Sequence, residues 1–183
     1  MLKPESCTLY SGAARGAESE FGRLAAQYGV TEVNFTFAGH SNDRTEGLRV
    51  LSDDELVRKD VSLTYVSRLL NRSFTNAEKM RKVLQTIMYQ VDSGHEVFIV
   101  GVIQDDGTVK GGTGWGAEFA KICNKPLYVF GQARNAWFKW NKGEWETVEN
   151  PVITSARFTG TGTRFIEENG KKALQDLFAR SFG

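Results

Sequence analysis

Several things are scarce in this 183-residue chain, and each scarcity removes a class of protein. There are two cysteines, Cys7 and Cys123, too few for a thiolate zinc site, and each lies beside an apolar run. Residues 1–5 lack the apolar core of a secretory signal, so a cytoplasmic protein with reduced thiols is the expectation. No apolar run approaches the roughly 20 residues needed to cross a membrane, so no membrane partner is expected. Charge of one sign is not in excess: Lys+Arg is 23 against Asp+Glu 22, a net charge of +1. Nucleic-acid-binding domains usually carry a basic surplus or stripe, so nucleic acid is not an expected partner. A local basic site for one phosphate is still allowed. The two histidines, His40 and His95, have no Cys or acid at ligand spacing, which argues against a protein metal site. No repeat of fixed period and no linker interrupts the chain, whose length suits one well-cored domain.

What is present alternates between strand and helix. Thr8–Ser11 reads as a short strand stopped by Gly12. Over residues 15–28, Phe21, Leu24, Ala25 and Tyr28 recur at helical spacing, and Gly29 closes the helix. Thr31–Phe37 alternates Val33, Phe35 and Phe37 with polar residues, a strand pattern. Strand, glycine loop, helix and strand open a βαβ unit. Residues 40–49 are polar and read as a loop. Ser52-Asp53-Asp54-Glu55 forms a capping box that predicts a helix over residues 53–70, broken at 72–75. Asn76 is placed to cap a second helix with the stripe Met80, Val83, Leu84, Ile87, Met88 and Val91, ending at Ser93-Gly94.

Residues 96–103 (EVFIVGVI) are a nearly continuous apolar run, as in the middle of a parallel sheet. A helix over 118–123 and a buried strand over 127–130 follow. Then come an aromatic segment, a last strand over 152–158, a Gly/Thr loop and a helix over 165–182. The predicted fold class is α/β: a single Rossmann-like domain with a mostly parallel sheet flanked by helices.

Glycine is the unusual entry at 19 residues, and two stretches gather it. The first, Ser11-Gly12-Ala13-Ala14-Arg15-Gly16-Ala17, sits between a strand and a helix. A helix N-terminus offers unpaired N–H groups and a positive dipole end, so an anion docks there at little cost. Ser11, Gly12, Ala13, Arg15 and Gly16 are the binding candidates, Ser11 adding a hydroxyl and Arg15 a cation. The spacing is neither GxGxxG nor a Walker loop, and the plain alternative is a tight turn packed with small residues. The second stretch, Gly111-Gly112-Thr113-Gly114-Trp115-Gly116-Ala117-Glu118, reads as a loop ahead of a helix. Four glycines in six residues are costly to order, which points to a backbone that a ligand approaches. Lys110, Gly111, Gly112, Thr113 and Gly114 are its binding candidates; an elaborate turn tucking Trp115 inward is the alternative. Both stretches would lie at strand carboxyl ends, where open parallel sheets bind ligands.

These residues resemble a known superfamily. A strand followed by Ser-Gly-Ala-Ala-Arg-Gly-Ala and a helix looks like the first phosphate-binding loop of the SLOG superfamily. That group includes the DNA-processing protein DprA, the Lonely guy phosphoribohydrolases and molybdenum-cofactor carrier-like proteins. Lonely guy enzymes carry Pro-Gly-Gly-x-Gly-Thr-x-x-Glu after a buried strand, and Gly111, Gly112, Gly114 and Glu118 fall at the matching spacing. Lys110 replaces the proline and Trp115 the threonine; Gly111-Gly112-Thr113 resembles the carrier-like version at least as well.

The resemblance covers roughly residues 8–130. It implies a Rossmann-like fold and a small phosphate-bearing ligand: a nucleotide, nucleotide sugar or pterin nucleotide, held by a carrier or sensor. A homodimer or higher oligomer is usual for such relatives. The rival it implies is a nucleoside-monophosphate N-glycosidic hydrolase, with Glu118 as the working acid and an arginine on the preceding helix, for which Arg81 is the candidate. As an alternative, Glu118 is simply an acid stabilised near a helix N-terminus.

Four further features carry expectations. Arg72, Arg81 and Lys82 form either a basic rim or a solvated face. Trp137, Trp140 and Trp145 either stack on a ring or, as large aromatics more often do, cover the sheet edge. Thr159-Gly160-Thr161-Gly162-Thr163-Arg164 reads as a third loop able to cup an anion. His40 follows a strand, where a site residue belongs, whereas His95 lies at the opposite sheet edge.

Overall fold

The computed structural model describes residues 2–74 and 76–183. The strands are β1 (Thr8–Ser11), β2 (Thr31–Phe37), β3 (Leu48–Leu51), β4 (Glu96–Val100), β5 (Leu127–Gly131), β6 (Ala136–Asn141), β7 (Glu144–Val148) and β8 (Arg157–Gly162). The helices are α1 (Ala17–Tyr28), α2 (Asp53–Val57), α3 (Asp60–Leu70), α4 (Glu78–Ser93), α5 (Gly111–Ile122) and α6 (Glu168–Phe182). They build an α/β fold around one eight-stranded sheet in the order β3-β2-β1-β8-β4-β5-β6-β7. Six neighbouring strands run parallel, and β6 and β7 complete the sheet as an antiparallel hairpin. Helices cover both faces, as a sheet with apolar residues on both sides requires. One core joins α1 and α6 to the sheet through Phe21, Leu24, Leu174 and Phe178. The other joins α3, α4 and α5 through Leu63, Met88, Trp115 and Ala120.

Several local signals hold. Gly29 closes α1 in the left-handed conformation, and Ser52 and Glu55 make a reciprocal capping box. The predicted helix over 53–70 is divided at Arg58–Lys59. The break lets Leu56 join Phe35, Phe37 and Leu51, while Leu63, Val66 and Leu70 turn into the α3–α5 core. Helix α4 starts at Glu78 with Ala77 in the capping position, so Asn76 does not cap it. Of the predicted break over 72–75, Thr75 lies outside the described residues.

Three readings are corrected. The polar stretch after β2 ends in strand β3, a four-residue edge strand too short to show a pattern. The last strand is Arg157–Gly162, so most of the supposed third glycine loop lies within the sheet, between β1 and β4. Its alternation explains the composition: a Cβ on Gly160 would stand 2.5 Å from the Phe21 ring, while Thr159 Oγ1 donates to the Gln90 carbonyl at 2.6 Å. Gly160 therefore faces α1 closely, and Thr159 faces α4. Finally, Gly111–Gly116 is not a loop but the first turns of α5. Tertiary packing overrides glycine's poor helix propensity there. A Cβ on Gly114 would lie 1.8 Å from the Val109 carbonyl oxygen, and one on Gly116 would lie 2.9 Å from Ile87.

The aromatic segment forms the β6–β7 hairpin at the sheet edge. Trp140 and Trp145 face each other across it with ring centroids 5.1 Å apart, and Lys121 sits 3.8 Å above the Trp140 ring. Among the described residues no helix is long and apolar enough to cross a membrane. Cys7 and Cys123 are free thiols.

Candidate functional site

Strands β1, β8 and β4 are parallel neighbours, so their carboxyl ends share one edge of the sheet. The chain turns away in opposite directions from this point, the switch where such sheets bind ligands. The first glycine stretch spans this edge as residues 12–16. Ser11 is fully buried, and its Oγ donates to the Gly160 carbonyl at 2.6 Å, which ties β1 to β8. Ala13 is fully buried with a left-handed φ of 57°, and its carbonyl accepts from the Asp43 N–H at 2.9 Å. Gly16, at φ 97°, lets the β8–α6 connection come close: a Cβ there would lie 2.4 Å from the Thr163 carbonyl oxygen. That carbonyl accepts from the first helical N–H, Ala17, at 2.9 Å.

The loop wraps a carboxylate of its own. Glu18 is buried; it accepts from the Ala14 N–H at 3.0 Å and from Thr161 Oγ1 at 2.8 Å. A Cβ on Gly12 would meet both Glu18 and Gln90 at 2.5 Å, so glycine is required by these two buried polar side chains. Desolvation raises the Glu18 pKa above its ordinary value, against the hydrogen bonds from Ala14, Thr161 and Gln90 and the charge of Arg164. The inner part of the loop is thus already occupied by an acid.

The outer part is open. A cleft of about 720 Å³ is lined by Arg15, Gly16, Ser19, Glu20, Arg23, Asp43, Arg44, Arg164, Phe165, Ile166, Glu167 and Lys171. Arg23 pairs with Glu20 at 2.6 Å, Arg44 with Glu32 at 2.6 Å, and Lys171 with Glu168 at 2.9 Å. Arg15 and Arg164 are exposed, and among the described residues neither side chain has an ion pair or hydrogen bond. Ser19 Oγ is buried without a hydrogen-bond partner, and Phe165 is 83% exposed. The cleft therefore combines two guanidinium groups without an ion pair among the described residues and an open aromatic ring, with the Ser19 hydroxyl buried behind it.

The second glycine stretch does not share this cleft. A separate hollow of about 340 Å³ is lined by Arg72, Ser73, Gln104, Lys110, Gly111 and Trp115. Lys110 and Gly112 are exposed and Thr113 half-buried. Arg72 is held by the Val109 carbonyl at 3.1 Å, Gln104 Oε1 at 2.7 Å and Thr108 Oγ1 at 3.1 Å, so it clamps the connection after β4.

Glu118 lies two turns into α5, half-buried, with Lys121 Nζ 3.3 Å away. Arg81 pairs with Asp60 at 2.5 Å, and Lys82 with Asp53 at 2.9 Å. Among the described residues no hydrogen bond or ion pair joins Glu118 to Arg81. No cluster of three or more His, Cys, Asp or Glu able to hold a metal occurs among them either. His40 stands in the loop after β2, and His95 is exposed at the opposite edge, before β4.

Ser19, Arg164 and Phe165 carry much of the cleft, and sequence reasoning gave weight only to Arg164, as the end of the Gly/Thr run. Ser19 belongs to the polar side of an amphipathic helix, and only the fold shows that its hydroxyl has no partner. No protein-family model, curated protein or solved structure matches the chain.

Proposed function

We propose that the carboxyl-edge cleft binds a small phosphate-bearing ligand, a nucleotide or pterin nucleotide, in the manner of a carrier or sensor. The observation that carries this reading is the pair of arginines, Arg15 and Arg164, unpaired among the described residues, at a cleft beside Gly16. Arginine is suited to phosphate because its planar fork donates two parallel hydrogen bonds. The exposed Phe165 ring offers a stacking face for a base or pterin. The likeness of the first loop to the SLOG superfamily supports the same ligand class. Binding without turnover is favoured because Glu118 and Arg81 are each engaged by other side chains.

Calorimetric titration with AMP and with inorganic phosphate tests the reading. The wild type should bind AMP, and Arg15→Ala/Arg164→Ala should weaken binding at least about tenfold, from the loss of charged hydrogen bonds. The unliganded melting temperature should barely change, since both side chains are exposed and unpaired. A wild-type protein that binds neither AMP, phosphate nor sulfate would overturn the proposal.

A further inference from the structure

Phe165 is the most exposed large hydrophobic side chain among the described residues, and it lines the cleft. Its ring has no aromatic or cationic partner among them. A ring so exposed would cost little on a loose loop, but the backbone that carries it is held at alternate residues. The Thr163 N–H donates to the Val100 carbonyl at 2.8 Å, and the Thr163 carbonyl accepts from the Ala17 N–H at 2.9 Å. The Phe165 N–H donates to Thr163 Oγ1 at 3.0 Å. The two remaining bonds, to the Phe165 carbonyl and the Glu167 N–H, both come from one side chain on another element, Gln132.

Gln132 follows β5 at the turn into β6 and is half-buried. Its Nε2 donates to the Phe165 carbonyl at 3.1 Å, and its Oε1 accepts from the Glu167 N–H at 2.6 Å. Only an amide side chain can both donate and accept in this way, and asparagine is one methylene shorter. The Gln132 backbone is tied to the same helix end, its carbonyl accepting from Asn169 Nδ2 at 2.7 Å. Room for the amide depends on Gly170, where a Cβ would stand 2.4 Å from Gln132 Oε1. Arg164 adjoins Thr163, whose bonds to Val100 and Ala17 do not involve Gln132. The arginine end of the connection and the aromatic end are therefore anchored separately.

We propose that Gln132 is the positioning residue that holds Phe165 as a preformed stacking platform, so the cleft selects a phosphate carrying a flat ring over a bare sugar phosphate. The inference rests on the cleft being a phosphate site. Arg15 and Arg164 alone would take any phosphate. A platform whose backbone is already ordered loses little freedom when a base settles on it, so more of the stacking appears as affinity. Without Gln132 the Phe165 carbonyl and the Glu167 N–H lose their partners, and the ring must be ordered by the ligand itself.

Calorimetry with AMP and ribose 5-phosphate tests it. Wild type should bind AMP at least about tenfold more tightly, the worth of stacking one base on an aromatic ring. Phe165→Ala should remove that preference and leave ribose 5-phosphate within about twofold. Gln132→Ala, with the ring intact, should lose most of the preference while ribose 5-phosphate again stays within about twofold. Gln132→Glu keeps the acceptor for the Glu167 N–H and loses only the donor to Phe165, so its preference should lie between those of wild type and Gln132→Ala; it also serves if the alanine variant does not fold. A full preference in both Gln132 variants, or an equal loss of both ligands, would overturn the positioning role. Equal binding of both probes by the wild type would overturn the platform and leave the phosphate reading standing. Failure of both probes to bind would overturn the phosphate reading and, with it, this one.

Discussion

The stretches at Gly12–Gly16 and Gly111–Gly116 both follow a buried parallel strand, and in sequence they look like two copies of one device. The fold uses them differently. In the first, Gly12 and Gly16 make room for polar groups: the Glu18 carboxylate, the Gln90 amide and the Thr163 carbonyl. Its outer side opens on a cleft with two arginines that have no ion pair or side-chain hydrogen bond among the described residues. In the second, Gly114 and Gly116 let a helix approach backbone and apolar side chains, and the nearby Arg72 is consumed in clamping the preceding connection. Glycine marks close approach in both. Among the described residues the first stretch opens beside two arginines without an ion pair, whereas the second has Lys110 alone, and two such guanidinium groups are the better pointer to a phosphate.

The largest effect should come from Gly114→Ala, since a Cβ 1.8 Å from a carbonyl oxygen forces the backbone apart. We expect a loss of about 3 kcal/mol or more in urea denaturation. A change below about 1 kcal/mol would show that the second stretch is not built on packing.

Glu18→Ala comes next. It strands the Ala14 N–H and the Thr161 hydroxyl in the interior and should cost about 2–3 kcal/mol, whereas Glu18→Gln, of the same shape, should cost less than about 1. The pH dependence sharpens this. Because the folded pKa of Glu18 is raised, its stabilising contribution is fully present below the ordinary value of 4.5 and is lost as pH rises through the folded value. Glu18→Gln should flatten that part of the stability profile, and an unchanged profile would remove Glu18 as its source. The smallest effect is expected from Lys110→Ala. Its hollow is separate from the cleft, so AMP affinity should change by less than about twofold. A tenfold loss would return the second stretch to the binding site.

Much of the site was legible where local rules apply. Arg15 and Gly16 stood out between a strand and a helix, and they line the cleft. Ser11 stood out for the same reason, yet its hydroxyl is committed to Gly160, 149 residues away in sequence. Glu18 gave no signal, because an acid in the first turn of a helix is ordinary, and only the packing of α4 and β8 against it makes it a buried polar centre.

The sequence by itself determined the α/β class and the order of most elements. Hydrophobic periodicity and end signals such as Gly29 and Ser52–Glu55 are properties of neighbouring residues and do not wait for the fold. Only the tertiary structure decided that residues 157–162 lie between β1 and β4, and that four glycines begin a helix. It also left Arg15 and Arg164 without an ion pair among the described residues. Each of these outcomes depends on which distant group fills the space beside a residue, and local patterning carries no record of that.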